Sequence, residues 1–287
     1  MNRVSETAYL VAMYRALETE RPDALFQDPL ARTLAGGRGE LLIKILGDEQ
    51  QGRKVIAIRT CVMDELIEQL VKSQKVDVVI NLGAGLDTRP YRLTLPPALR
   101  WIEVDIPDIL DYKEAKLQHE QPKCLLQRIG LDLTDTKLRN NLFATLNSGV
   151  IQALVITEGL LSYLSEAEVS SLAMSLYEQP RFRWWLFELT PALALKRSRN
   201  NWNQKIFEQY FNENKKTGFL FVPANGVNFF QQYGWRLKEF RSIWESLRSK
   251  RRILFPSFLG LLLRWFAKSY WKAVNQEAGI VLLERRP

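Results

Sequence analysis

The stretch Val78-Val79-Ile80-Asn81-Leu82-Gly83-Ala84-Gly85-Leu86-Asp87-Thr88-Arg89 decides how the rest of the chain is read. An apolar run ending in two glycines one residue apart is the pattern of a buried parallel strand that turns sharply into a helix. Glycine permits that turn and a close backbone approach, and the helix start offers free N–H groups. Ligands of open parallel sheets lie at this edge, beyond the carboxyl ends of the strands. A nucleotide-like ligand is therefore expected over Gly83 to Gly85.

The next strand, Trp101-Ile102-Glu103-Val104-Asp105, ends in an acid 20 residues beyond Gly85. An acid so placed accepts hydrogen bonds from ribose hydroxyls. Nicotinamide dinucleotides and S-adenosylmethionine both satisfy this much. The third glycine of the dinucleotide fingerprint falls at Thr88, which argues against a dinucleotide without removing it.

The 287 residues, 46% of them hydrophobic, suffice for one large α/β domain with a cap. The first twenty residues are mixed polar and charged, with no apolar core of a secretory signal. Cys61 and Cys124 have no metal or redox spacing and point to a reducing, cytoplasmic setting. The net charge of +8 is unevenly spread. Residues 181–287 hold 20 Lys/Arg against 7 Glu and no Asp, a net of +13, against −5 for residues 1–180. The basic part reads as a solvated face, or as one meeting an anionic partner, substrate or membrane surface. No nucleic-acid motif accompanies it.

Residues 1–75 read as helices, with Ala8, Val11, Ala12 and Leu17 on one face, a break at Arg21-Pro22-Asp23, and an amphipathic run from Ile56 to Val71. Thereafter strands are predicted at 77–82, 100–105, 123–129, 152–157 and 182–188, and helices at 107–119, 135–146 and 166–178. That alternation predicts a parallel sheet covered on both faces. Strands near 235–240 and 279–283 complete it, the last antiparallel. Residues 190–230 read as an inserted helical lid.

Several segments together resemble S-adenosylmethionine-dependent methyltransferases of the leucine carboxyl methyltransferase family, including its bacterial, polyketide-type O-methyltransferase branch. They are Thr7-Ala8-Tyr9 through Arg15-Ala16-Leu17-Glu18, Leu25 to Ala31 with Asp28-Pro29-Leu30, and Ile58-Arg59-Thr60 with Asp64. The glycine turn, Glu103 to Pro107, Leu131-Asp132-Leu133 and Ile156 to Leu164 follow in order. The resemblance implies a Rossmann-like seven-stranded sheet, mostly parallel. Its domain division is an N-terminal helical cap (1–75) and a methyltransferase domain (76–287) with lid insertions at about 190–230 and 244–275.

The resemblance also implies site roles. Arg59 takes the methionine carboxylate, a job suited to a guanidinium fork; the competing reading is a helix-surface salt bridge to Asp64. Gly83 and Gly85 pass the methionine moiety, and Asp105 holds the ribose. Asp132 and Leu133 flank adenine, unless Asp132 is simply the helix N-terminal acid ahead of Leu138. Glu158 accepts from the methionine ammonium, and Arg15 lies near cofactor or substrate. Asp87 and Arg89 read as holding the glycine turn. His119, the one histidine, reads as a surface residue.

A carboxylate acceptor is already an anion at neutral pH, whereas a phenol or alcohol needs a base. Glu188 and Tyr163 are the candidates to assist there. No metal site is expected. The expected reaction is O-methylation of a carboxylate or hydroxyl on a bulky, apolar small molecule. The alternatives are a protein C-terminal carboxylate as acceptor, a nicotinamide oxidoreductase, or a non-catalytic binding protein. Arg248-Ser249-Lys250-Arg251-Arg252 precedes Ile253 to Ala267, an apolar stretch too short and too interrupted to span a membrane. It reads as a packed core helix, or as a lid over the substrate with its basic cluster facing a substrate carboxylate, a carrier protein or a lipid headgroup.

Overall fold

Five consecutive buried residues form β1 (Val78–Leu82), and five more form β4 (Ala153–Thr157). Strands with no exposed position need cover on both faces, as parallel strands do. The computed structural model describes residues 3–46, 50–74, 76–189, 220–252 and 279–286. Within them β2 (Arg100–Asp105), β3 (Leu125–Gly130), β5 (Phe182–Leu189), β6 (Trp235–Ser242) and β7 (Gly279–Arg285) join the first two in one sheet. Its order is β3-β2-β1-β4-β5-β7-β6. β1 to β5 pair in parallel, and β7 runs antiparallel between β5 and β6. The chain winds outward from β1 through β2 to β3 and then returns to β4. The strand order thus reverses between β1 and β4, which is where ligands of such sheets bind.

α3 (Gln50–Ser73) packs Ile58, Met63, Leu66 and Ile67 on one face of the sheet, against Val79, Trp101, Leu154 and Trp184. The other face is covered by α6 (Thr136–Asn147) and α7 (Glu166–Tyr177), whose Phe143, Leu172 and Leu176 meet Ile80, Val155 and Trp185. α1 (Arg3–Thr19) and α2 (Ala31–Leu46) build a third cluster with α5 (Pro107–Leu117), around Tyr9, Met13, Leu34 and Leu110. The short α4 (Arg89–Arg92) follows the glycine turn, and α8 (Ile243–Ser249) follows β6.

Most of the expected lid at 190–230, and all of the apolar run from Ile253 to Ala267, lie outside the described residues. Of that expected lid, residues 220–230 are described. A 3-10 helix, Gly226–Tyr233, sends Phe229 and Phe230 into the core beside Phe187 and Trp185. Among the described residues no helix is long and apolar enough to cross a membrane.

Candidate active site

The turn after β1 is tied to its neighbour strand. The N–H groups of Gly83 and Ala84 donate to the Val104 carbonyl, at 2.8 and 3.2 Å. The Gly85 N–H donates to Asp105 Oδ2 at 2.7 Å, and the Ile106 N–H to Oδ1 at 2.7 Å. Gly83 and Gly85 have φ of 69° and 46°, the left-handed region in which a side chain is strained. A Cβ on either would meet only ordinary contacts, Leu160 or Ala8 at 3.4 Å. Backbone conformation, rather than crowding, therefore demands glycine.

Beyond this turn lies a cleft at the β1/β4 reversal. It is lined by Gly83 to Asp87 and Arg89 from the turn, Asp105 and Ile109 beside it, Arg59 from α3, and Glu158, Gly159 and Tyr163 after β4. Thr7, Ala8, Val11 and Arg15 of α1 form the opposite wall. Seven of the residues singled out from sequence thus converge: Arg15, Arg59, Gly83, Gly85, Asp105, Glu158 and Tyr163. Glu188 stands behind Arg59 and accepts from the Gly159 N–H at 2.7 Å. Asp132 and Leu133 are not part of this wall. Asp132 accepts from the N–H and hydroxyl of Thr134, and Leu133 faces a second pocket.

Charge dominates the cleft floor. Arg59 Nε lies 2.8 Å from Glu158 Oε1, and its Nη1 lies 3.6 Å from Glu188 Oε1. Arg89 contacts Glu158 at 2.6 Å, Asp87 at 2.8 Å and Asp64 at 2.6 Å. Burial disfavours the Glu158 anion, but Arg89 and Arg59 outweigh it and hold the carboxyl below its usual range. Burial likewise opposes ionisation of Asp87, and Arg89 overrides it strongly. Glu188 is different: burial pushes its carboxyl up to about 7, with Arg59 opposing only in part. Burial also raises the Asp105 carboxyl, against the two N–H groups that stabilise its anion, and raises the Tyr163 phenol.

Two alternatives fall away and one reading changes. Arg59 does not bridge to Asp64, which instead pairs with Arg89 and with Arg92 at 2.6 Å. Residues five apart on a helix stand about 140° apart, and only i+3 and i+4 positions are neighbours. The N-cap of α6 is Asp135, which accepts from Leu138 N–H at 2.9 Å, so Asp132 is no helix cap. Arg89 holds the turn as expected but also lines the cleft and pairs with Glu158. That contact joins residues far apart in sequence, and no local spacing announces it. Arg15 is an anchor: it donates to Asp28 at 2.8 Å and to the Leu86 carbonyl at 2.5 Å, pinning α1 to the glycine turn. His119 is exposed.

A family profile described as leucine carboxyl methyltransferase matches residues 8–176, more than half of the chain. The chain belongs to the leucine carboxyl methyltransferase family. Among relatives of this family member, a protein of Streptomyces coelicolor is 38% identical over 183 residues, 60% of this chain and 64% of that one. One of Mycobacterium tuberculosis is 31% identical over 262 residues, 81% and 77% of the two chains. Both carry the provisional name S-adenosyl-L-methionine-dependent methyltransferase. The chain thus spans less than two thirds of the length of the Streptomyces relative. The fold is also that of a DUF574 family protein from Streptomyces avermitilis, with TM-score 0.57, 12% identity, and 98% and 97% of the two chains covered. A protein provisionally titled a methyltransferase from Thermobifida fusca gives 0.54 at 15% identity, over 96% and 94%.

Proposed function

We propose that this family member is an S-adenosylmethionine-dependent O-methyltransferase, acting on a carboxylate or hydroxyl of a bulky, largely apolar small molecule. One observation carries the reading. The glycine turn, the strand-tip Asp105 and the buried Arg59–Glu158 pair face one cleft at the reversal of strand order. The names borne by the relatives support it.

The residues fit the cofactor chemically. Arg59 Nε is buried and close to Glu158 yet lacks the alignment of a hydrogen bond, and Glu188 Oε2 is buried without a partner. A guanidinium with an unspent donor suits the carboxylate of an amino acid, and Glu158 beside it suits the ammonium. Asp105, held by two backbone N–H groups, has lone pairs left for a ribose diol. The purine would then lie toward the β3 end, where Asp132 and Leu133 stand.

S-adenosylmethionine supplies a methyl group made electrophilic by its sulfonium. The chain's own work is alignment and exclusion of water by α1 over the turn. A carboxylate acceptor needs no base. For a hydroxyl acceptor, Glu188 behind Arg59, with its carboxyl near 7, is the nearest group suited to a base, and Tyr163 on the cleft wall is suited to orient the acceptor. The apolar and basic C-terminal region supports an apolar acceptor, free or on an acidic carrier protein, or contact with an anionic surface, in a cytoplasmic setting. Calorimetry with S-adenosylmethionine and with NAD tests the cofactor, and formation of S-adenosylhomocysteine with a panel of apolar carboxylic acids, phenols and peptide C-termini tests the acceptor. Heat with NAD alone would sink the proposal.

A further inference from the structure

A second pocket opens between the start of α6, the β4–α7 connection and α7. Its lining joins four leucines, Leu133, Leu160, Leu164 and Leu172, to Thr134, Thr136 and Arg139 of the β3–α6 region. The cavity measures about 180 Å³, and an apolar cavity of roughly 150 Å³ admits benzene. Leu160 is also the side chain that a Cβ on Gly83 would meet at 3.4 Å. The pocket therefore backs onto the first cleft with one leucine between them.

Arg139 is 3% exposed, yet it bonds only neutral groups. Nη1 donates to the Leu133 carbonyl at 3.2 Å, and Nη2 to the Ser171 and Ser175 hydroxyls at 2.8 and 3.3 Å. Its Nε–H is buried and has no hydrogen-bond partner. The other buried arginines, Arg15, Arg89 and Arg252, each pair with a carboxylate. Among the described residues none lies within ion-pair distance of Arg139. Glu168, on the same pocket, turns its Oε2 to the Ser165 N–H and hydroxyl in the capping box of α7. Burial lowers the Arg139 pKa, and the field of Glu168 restores part of it. A buried cation held by neutral groups carries a desolvation cost that an anion offsets.

We infer that this pocket binds a small monocarboxylate with an apolar body, of the size of benzoate or hexanoate, whose carboxylate pairs with Arg139. A single guanidinium without a carboxylate partner, in a lining that is half apolar, suits a monoanion. A phosphate dianion would need several more donors. The pocket shares Leu133 with the place proposed for the purine, and its other lining residues are separate from those of the first cleft.

The test is a titration with benzoate, hexanoate and the neutral isostere benzamide, followed by calorimetry or ligand-observed NMR. Benzoate should bind at least tenfold more tightly than benzamide, and Arg139→Gln should erase that preference. Ala167→Phe fills the pocket from its exposed rim and keeps Arg139. It should weaken benzoate at least tenfold, and it decides the matter if the Gln variant does not fold. Equal binding of benzoate and benzamide, unchanged benzoate binding in Ala167→Phe, or no binding at millimolar benzoate overturns the inference. So does displacement of benzoate by saturating S-adenosylmethionine, which would make the pocket an annex of the cleft. Failure of S-adenosylmethionine to bind at all leaves the benzoate result standing and tells only against the cofactor proposal.

Discussion

Asp105 receives the Gly85 and Ile106 N–H groups at 2.7 Å each, so its carboxylate is aimed before any ligand arrives. Asp105→Ala should lower S-adenosylmethionine affinity about tenfold to a hundredfold, since a hydrogen bond to a charged acceptor is worth roughly 1.5–3 kcal/mol. An unchanged dissociation constant in a variant with wild-type circular dichroism would remove the ribose assignment. Arg59→Lys keeps the charge and loses the two-pronged fork, so it should also weaken the cofactor; equal binding by calorimetry would assign Arg59 a purely structural part. Asp105 and the glycines were legible because strand, turn and acid follow one another at fixed spacing. The pairing of Arg89 with Glu158 was not, because the start of α4 and the turn after β4 meet only once β1 and β4 lie side by side.

At the scale of elements, legibility followed burial. β1 and β4, buried throughout, and α7, opened by Ser165 and Glu168, lie within a residue of their expected bounds. The start of the 3-10 helix at Gly226–Tyr233 falls in the stretch 190–230 that reads as a lid, because that stretch is mostly polar and aromatic and carries no strand signal. Its place in the core comes from Trp185 and Trp235, which no local pattern reveals. Its two ends make a graded prediction. Gly226 has φ 54° with open space around it, whereas Gly234 has φ 88° and a Cβ there would fall 2.2 Å from the Tyr177 ring. Gly226→Ala should cost about 1–2 kcal/mol of left-handed strain. Gly234→Ala should add roughly 1–3 kcal/mol of overpacking. Urea denaturation of both variants checks the order, and equal losses would mean that Tyr177 gives way freely.

For the whole molecule, Glu188 ties stability to pH. Its folded pKa of about 7 lies above the ordinary carboxylate value, so between pH ~4.5 and 7 the native state binds more protons than the unfolded chain. The slope of unfolding free energy against pH is then negative from this group: its contribution is full below ~4.5 and is lost as pH rises through 7. Glu188→Gln should flatten that fall and gain stability relative to wild type at pH 8, measured by denaturant unfolding across pH 4 to 9. A parallel wild-type and variant profile would show that Arg59 already keeps Glu188 ionised. The architecture has a further consequence for how the molecule is made. Among the described residues β7 is the last strand, yet it sits between β5 and β6 and is the one strand paired with β6. About 90 residues separate the end of β5 from β7. At ~5–20 residues per second of synthesis, a ribosome leaves the Phe182–Leu189 edge without its neighbour for roughly 5–18 s. During that interval the aromatic edge of β5 lacks the strand that covers it in the fold, and an unpaired edge is a template for strands of other nascent chains.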